Sequence, residues 1–81
     1  MQEEVIEIIK RVFHKDADSE ITAYTSSENL PEWDSFGQIT LIQELEKVYQ
    51  TKFTFDELIE MESVAGICEV LENRKKGGER R

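Results

Sequence analysis

Pro31-Glu32-Trp33-Asp34-Ser35-Phe36-Gly37-Gln38, continuing as Ile39-Thr40-Leu41-Ile42-Gln43-Glu44-Leu45-Glu46-Lys47-Val48-Tyr49, is the stretch on which the fold turns. Pro31 resists continuing a helix, while Asp34 and Ser35 are both strong cap residues. The helix they begin runs from about Ser35 to Gln50, with Leu41, Ile42, Leu45, Val48 and Tyr49 on one face. Ser35 and Gln38 are spaced as a capping box, and Asp34 is the alternative cap. Gly37 costs helix stability, which points to a packing or access requirement at the helix start. A hydroxyl placed there faces solvent beside unpaired N–H groups and the positive end of the helix dipole. That is a favourable place for a phosphate-bearing group.

On the N-terminal side, Val5, Ile6, Ile8, Ile9, Val12 and Phe13 share one broad arc at helical spacing. Glu3, Glu4 and Glu7 near the start of this helix, and Lys10, Arg11 and Lys15 near its end, suit its dipole. A polar connection follows from Asp16 to Pro31, and Ile21, Tyr24 and Leu30 are expected to pin it to the core. On the C-terminal side, a short helix fits Asp56 to Met61, with Thr54 and Glu57 as its capping box. The last helix begins at the N-cap Ser63 and presents Val64, Ile67, Cys68 and Leu71 at i, i+3, i+4 and i+7. No segment alternates like a strand over more than a few residues. The fold class is therefore all-α, a small bundle of three main helices plus one short helix.

The chain has 81 residues, enough for one domain. It carries 10 Lys+Arg against 18 Asp+Glu, a formal charge of -8. Residues 1–73 hold 17 of the acids and only 5 of the bases, whereas residues 74–81 hold 5 bases, two glycines and no apolar side chain. This divides the chain into a folded domain, 1–73, and an expected disordered basic tail, 74–81. An acidic domain without clustered Lys and Arg makes a poor nucleic-acid binder. A single Cys forms no internal disulfide and fits a reducing, cytoplasmic setting. No apolar run approaches the ~20 residues of a membrane span. The opening Met-Gln-Glu-Glu has the wrong charge for a targeting peptide. A monomer is expected.

Asp34-Ser35-Phe36, the helix ending Leu45-Glu46-Lys47-Val48-Tyr49, the short third helix and Ser63-Val64 opening the fourth together resemble the acyl carrier protein family. The resemblance covers about Val5 to Leu71. It implies that residues 1–73 are a carrier domain and that Ser35 bears a 4'-phosphopantetheine arm, joined by a phosphodiester. A phosphopantetheinyl transferase would place the arm from coenzyme A with Mg²⁺, with Asp34 helping to orient the donor. It further implies a shuttle rather than an enzyme, with no catalytic residues of its own. An acyl or aminoacyl group would ride on the arm as a thioester, between a loading ligase and a downstream acyltransferase or synthase. Tethering raises the cargo's effective concentration at each partner. An unmodified helical adaptor that binds partners through the second helix is the alternative.

Two departures from the family pattern bear on the pathway. Phe36 stands where the family has Leu. The face of the second helix that meets partner enzymes is rich in Asp and Glu in fatty-acid carriers. Here Phe36, Thr40, Gln43 and Lys47 form the outer face, with Glu44 and Glu46 flanking it. Phe36, Thr40, Gln43, Glu44 and Lys47 are the expected partner-binding residues, and a specialised polyketide, peptide or dedicated acyl or aminoacyl pathway is favoured. The Asp-Ser-Phe-Gly run is also similar to carriers of the D-alanyl type, although the later helix departs from them. Cargo sheltered between the helices would meet Ile42, Leu45, Phe53, Ile59, Met61 and Ile67, and the bulk of Phe53 and Phe55 favours a short or polar cargo.

Other chemistry is set aside. His14, the only histidine, and Ser35 lack the surroundings of a hydrolase, with no Gly-x-Ser-x-Gly. Asp16, Asp18 and Glu20 begin like a calcium loop, but Ile21 and Ser27 occupy its glycine and final acid positions. Cys68 falls on the core stripe of the last helix and is expected to be a buried, inert thiol. One Cys makes no zinc site.

Overall fold

A computed structural model describes residues 2–78, with side chains through residue 74. Four α-helices follow in the order α1 (Gln2–Val12), α2 (Ser35–Tyr49), α3 (Phe55–Glu60) and α4 (Val64–Gly78), and there is no strand among the described residues. The all-α reading therefore stands.

The apolar arc of α1 buries Val5, Ile8 and Ile9, and Phe13 just beyond its end. The helix stops in a Schellman turn: Lys15 N–H donates to Lys10 O at 2.8 Å and His14 N–H to Arg11 O at 3.3 Å, with His14 left-handed at φ 57°. From α2, Leu41, Ile42 and Leu45 meet this face. Val64, Ile67, Val70 and Leu71 of α4 complete the core with Met61. Val48, placed inward by the helical wheel, is 45% exposed, because the buried stripe of α2 closes at Leu45 and Tyr49 lies only half-buried. Tyr49 Oη donates to Glu4 at 3.0 Å, and burial together with that carboxylate raises its pKa to about 12.

The connection before α2 is fastened rather than loose. Ile21 and Thr25 are buried and Leu30 is half-buried. Its backbone is tied to the α3–α4 junction, where Val64 N–H donates to Thr25 O and Ser27 N–H to Glu62 O, both at 2.9 Å. Tyr24, expected to be a pin, is instead 90% exposed, since these main-chain bonds and Thr25 take its place. Cys68 is half-buried rather than enclosed, and burial pushes its thiol pKa up.

No residue of α3 is fully buried: Leu58 packs half-buried against the core, and polar contacts hold the ends of the helix. Thr54 and Glu57 form the expected capping box, and Arg74 bonds Glu57 at 2.7 Å and Thr51 Oγ1 at 3.0 Å. The Arg74 guanidinium also lies 5.2 Å from the centre of the Phe53 ring. Burial works against the Glu57 charge, but the Thr54 N–H and Arg74 outweigh it and hold its pKa below the usual range. The helix thus passes the boundary expected at residue 73: Arg74 is an anchored part of α4, which continues to Gly78. Residues 79–81 of the expected tail lie outside the described residues.

Candidate functional site

The residue that caps α2 decides what Ser35 is free to do. Asp34 is extended (φ -93°, ψ -165°) and its carboxylate accepts the Gly37 N–H at 2.9 Å, while its carbonyl accepts Gln38 N–H at 2.7 Å. Asp34 is the N-cap, so the Ser35–Gln38 capping box read from the sequence does not form. Ser35 is the first helical residue, exposed, with its hydroxyl outside the cap.

Gly37 has the packing reason that its position suggests. A Cβ there would overlap the Glu32 carbonyl oxygen and sit 3.0 Å from Phe13 Cε1. The incoming chain therefore folds directly over the first turn of α2. It brings Trp33 into the core, 2% exposed, against Phe13 at a ring separation of 5.9 Å. Glu32 stays outside, bonded to Lys15 at 2.7 Å, and that hydrogen bond holds its carboxyl below the usual carboxylate range.

Gln38 is spent on three elements at once. Its Oε1 accepts Trp33 Nε1–H at 2.5 Å, and its Nε2 donates to Leu58 O and Met61 O, each at 3.1 Å. These bonds fix the start of α2 against the end of α3.

An open groove of about 510 Å³ runs beside Ser35 between α2 and α3. Asp34, Ser35 and Gln38 line one end, and Ile39, Phe55, Leu58 and Ile59 form apolar walls. Ile39, Phe55 and Ile59 are 58%, 76% and 56% exposed, an unusual outlay of apolar surface on a small acidic domain. Of the six residues expected to surround a sheltered cargo, only Ile59 borders this groove. Leu45, Met61 and Ile67 are fully buried in the core, Ile42 nearly so, and Phe53 packs half-buried against it. They fill the interior instead of lining a space.

The expected partner-facing residues divide. Phe36, 83% exposed, stands next to Ser35 and makes no cover for the preceding loop. Thr40, Gln43 and Lys47 continue exposed along the same side of α2. Glu44 does not share their freedom, because Arg11 holds it at 2.6 Å. Glu46 turns to the α2–α3 connection, accepting Phe53 N–H at 3.0 Å. Gln38, Ile39, Leu58 and the groove-facing role of Phe55 were not anticipated. The available signal was Ile39, apolar yet off the core stripe. Among the described residues no group of three or more His, Cys, Asp or Glu could hold a metal ion, and no helix is long and apolar enough to cross a membrane.

Four helices in this order, with an exposed serine heading the second, make the fold of an acyl carrier protein. The chain aligns with the holo acyl carrier protein from Geobacter metallireducens at a TM-score of 0.83 and 25% identity, over 99% of this chain and 91% of that one. It aligns with a chain from Mycobacterium tuberculosis, also named as an acyl carrier protein, at a TM-score of 0.74 and 22% identity, over 88% and 93% respectively. The family resemblance read from the sequence is thus matched in three dimensions along nearly the whole chain. No family model and no curated protein matches the sequence.

Proposed function

We propose that this protein is a carrier holding an acyl or aminoacyl group as a thioester on a 4'-phosphopantetheine arm joined to Ser35. The observation that carries this reading is the division of labour at the head of α2. Asp34 does the capping, which leaves an exposed hydroxyl at the mouth of an apolar-walled groove.

The residues present suit such an arm. The N–H groups of Ser35 and Phe36 lie at the open, positive end of α2, favourable for a phosphodiester. Asp34 precedes Ser35 in the chain and spends one carboxylate oxygen on the Gly37 N–H; the other would help orient a metal-bound donor in a phosphopantetheinyl transferase. The attached group supplies the thiol that forms thioesters. The chain itself supplies the anchor, a groove and a docking row of Phe36, Thr40, Gln43 and Lys47, with Glu44 at its flank, and makes no bonds of its own. That row is apolar passing to basic, because both acids of α2 are engaged elsewhere. This favours a dedicated polyketide, peptide, acyl or aminoacyl pathway over general fatty-acid synthesis. Its partners would be the transferase, a loading ligase and a downstream acyltransferase or synthase, all met by a monomer in the cytoplasm, with no nucleic acid or membrane involved.

Co-expression with a broad-specificity transferase, followed by intact mass spectrometry, tests the reading. One added phosphopantetheine, lost in Ser35→Ala, is the expected result. A chain left at its unmodified mass by every transferase tried would favour an unmodified adaptor docking through α2.

A further inference from the structure

We propose that Trp33 and Gln38 are specificity-determining residues: they shut the bundle interior to the cargo, so that it lies along the open α2–α3 groove and only short acyl or aminoacyl groups are sheltered. This rests on the carrier reading of Ser35 and adds the class of cargo.

Three observations carry it. The space between the helices behind Ser35 is already filled, since Leu41, Leu45, Met61, Val64 and Ile67 are all fully buried and the groove touches none of them. The wall between groove and core is cross-braced. Trp33 stands in it, 2% exposed, bonded through Nε1 to Gln38, whose amide in turn holds the Leu58 and Met61 carbonyls. A chain entering the core would have to displace the indole and leave these part-buried polar groups without partners, both unfavourable. Finally, an apolar bed is available outside that wall, on Ile39, Phe55, Leu58 and Ile59. The bed follows α3, which has 6 residues and so is roughly 9 Å long at 1.5 Å per residue. That is shorter than an extended dodecanoyl chain, whose far end would stay in water.

The test attaches butanoyl and dodecanoyl arms by transferase from the corresponding coenzyme A thioesters, confirms each by mass, and compares methyl and amide NMR spectra and thermal melts. In the native sequence, both cargoes are expected to shift Ile39, Leu58 and Ile59 while leaving the Leu45, Met61 and Ile67 methyls in place. The melting temperature should not rise with chain length. Shifts at those core methyls that grow with the chain would overturn the proposal. Gln38→Ala removes the brace, and the dodecanoyl form of this variant is expected to gain the core shifts. A folded Gln38→Ala protein without them would remove the role assigned to Gln38; should the variant fail to fold, the native spectra decide alone. Absence of any added arm would tell against the carrier reading instead. In that event Ser35→Cys/Cys68→Ser, alkylated with N-dodecyl iodoacetamide, puts a twelve-carbon chain at the head of α2 on a much shorter tether, and the same methyls report whether it enters the core.

Discussion

Replacing Gly37 by Ala sets two effects of opposite sign against each other. Helix propensity alone favours alanine by about 1 kcal/mol at an interior position. The structure opposes it. The new methyl would overlap a backbone carbonyl, that of Glu32, which no rotamer change relieves, and would press on Phe13 Cε1 at 3.0 Å. The Glu32 peptide has to retreat by roughly an ångström, taking with it the neighbouring Trp33 and the Asp34 cap. Overpacking of this kind costs about 1–3 kcal/mol, and a weakened cap about 1 kcal/mol more. Against the propensity gain, the net is a loss of about 1–3 kcal/mol, at roughly 4–8 °C in melting temperature per kcal/mol for a domain of this size. Urea and thermal unfolding followed by circular dichroism measure it directly. A Gly37→Ala protein as stable as the parent, or more so, would refute the claim that close approach of the incoming chain fixes glycine here.

The remaining predictions concern the cap, the outer face and acid stability. Asp34→Ala should cost about 1 kcal/mol of stability while Ser35→Ala changes it by less than about 0.5 kcal/mol, the reverse of what a serine cap requires; equilibrium unfolding distinguishes them. Phe36→Ala should leave the melting curve unchanged yet slow modification by a transferase on the order of 10-fold, as loss of an exposed aromatic anchor does. Unaltered transferase kinetics would count against that role. Glu57, whose pKa is lowered in the folded protein, adds stability that is complete above the unfolded carboxylate value of about 4.3 and fades as pH falls through its lower folded value. Glu57→Gln keeps the capping box but loses the charge, so the gap in stability between it and the parent should narrow below about pH 4. Matching pH profiles for the two proteins would contradict the assignment.

Much of this was written locally. Thr54 with Glu57, and Val64, Ile67 and Leu71 at helical spacing, need only their neighbours in the chain to act as they do. What escaped depends on partners far along the sequence. Asp34 and Ser35 are near-equal cap formers, and only the entry angle of the chain chose between them. Gln38 is an ordinary surface residue by type, yet its amide is spent on carbonyls 20 and 23 residues away. Arg74 looked like the start of a tail because glycines and lysines follow it, but Glu57 and Thr51 claim it. The helical wheel named residues that face inward without saying whether any room is left between them. Leu45, Met61 and Ile67 prove to be the filling.

The two banks of the groove differ in how firmly they are moored. α2 is embedded by Leu41 and Leu45, whereas α3 offers the interior only the half-buried Leu58 and otherwise hangs on a few hydrogen bonds and ions at its ends. Sparse apolar anchorage places a segment at the low end of the free energies for local opening, so amide protons of Phe55–Glu60 should exchange with solvent well before those of α2. If the protein is the carrier proposed above, it meets its enzymes with one compliant side and one stiff side, and the serine sits on the stiff one.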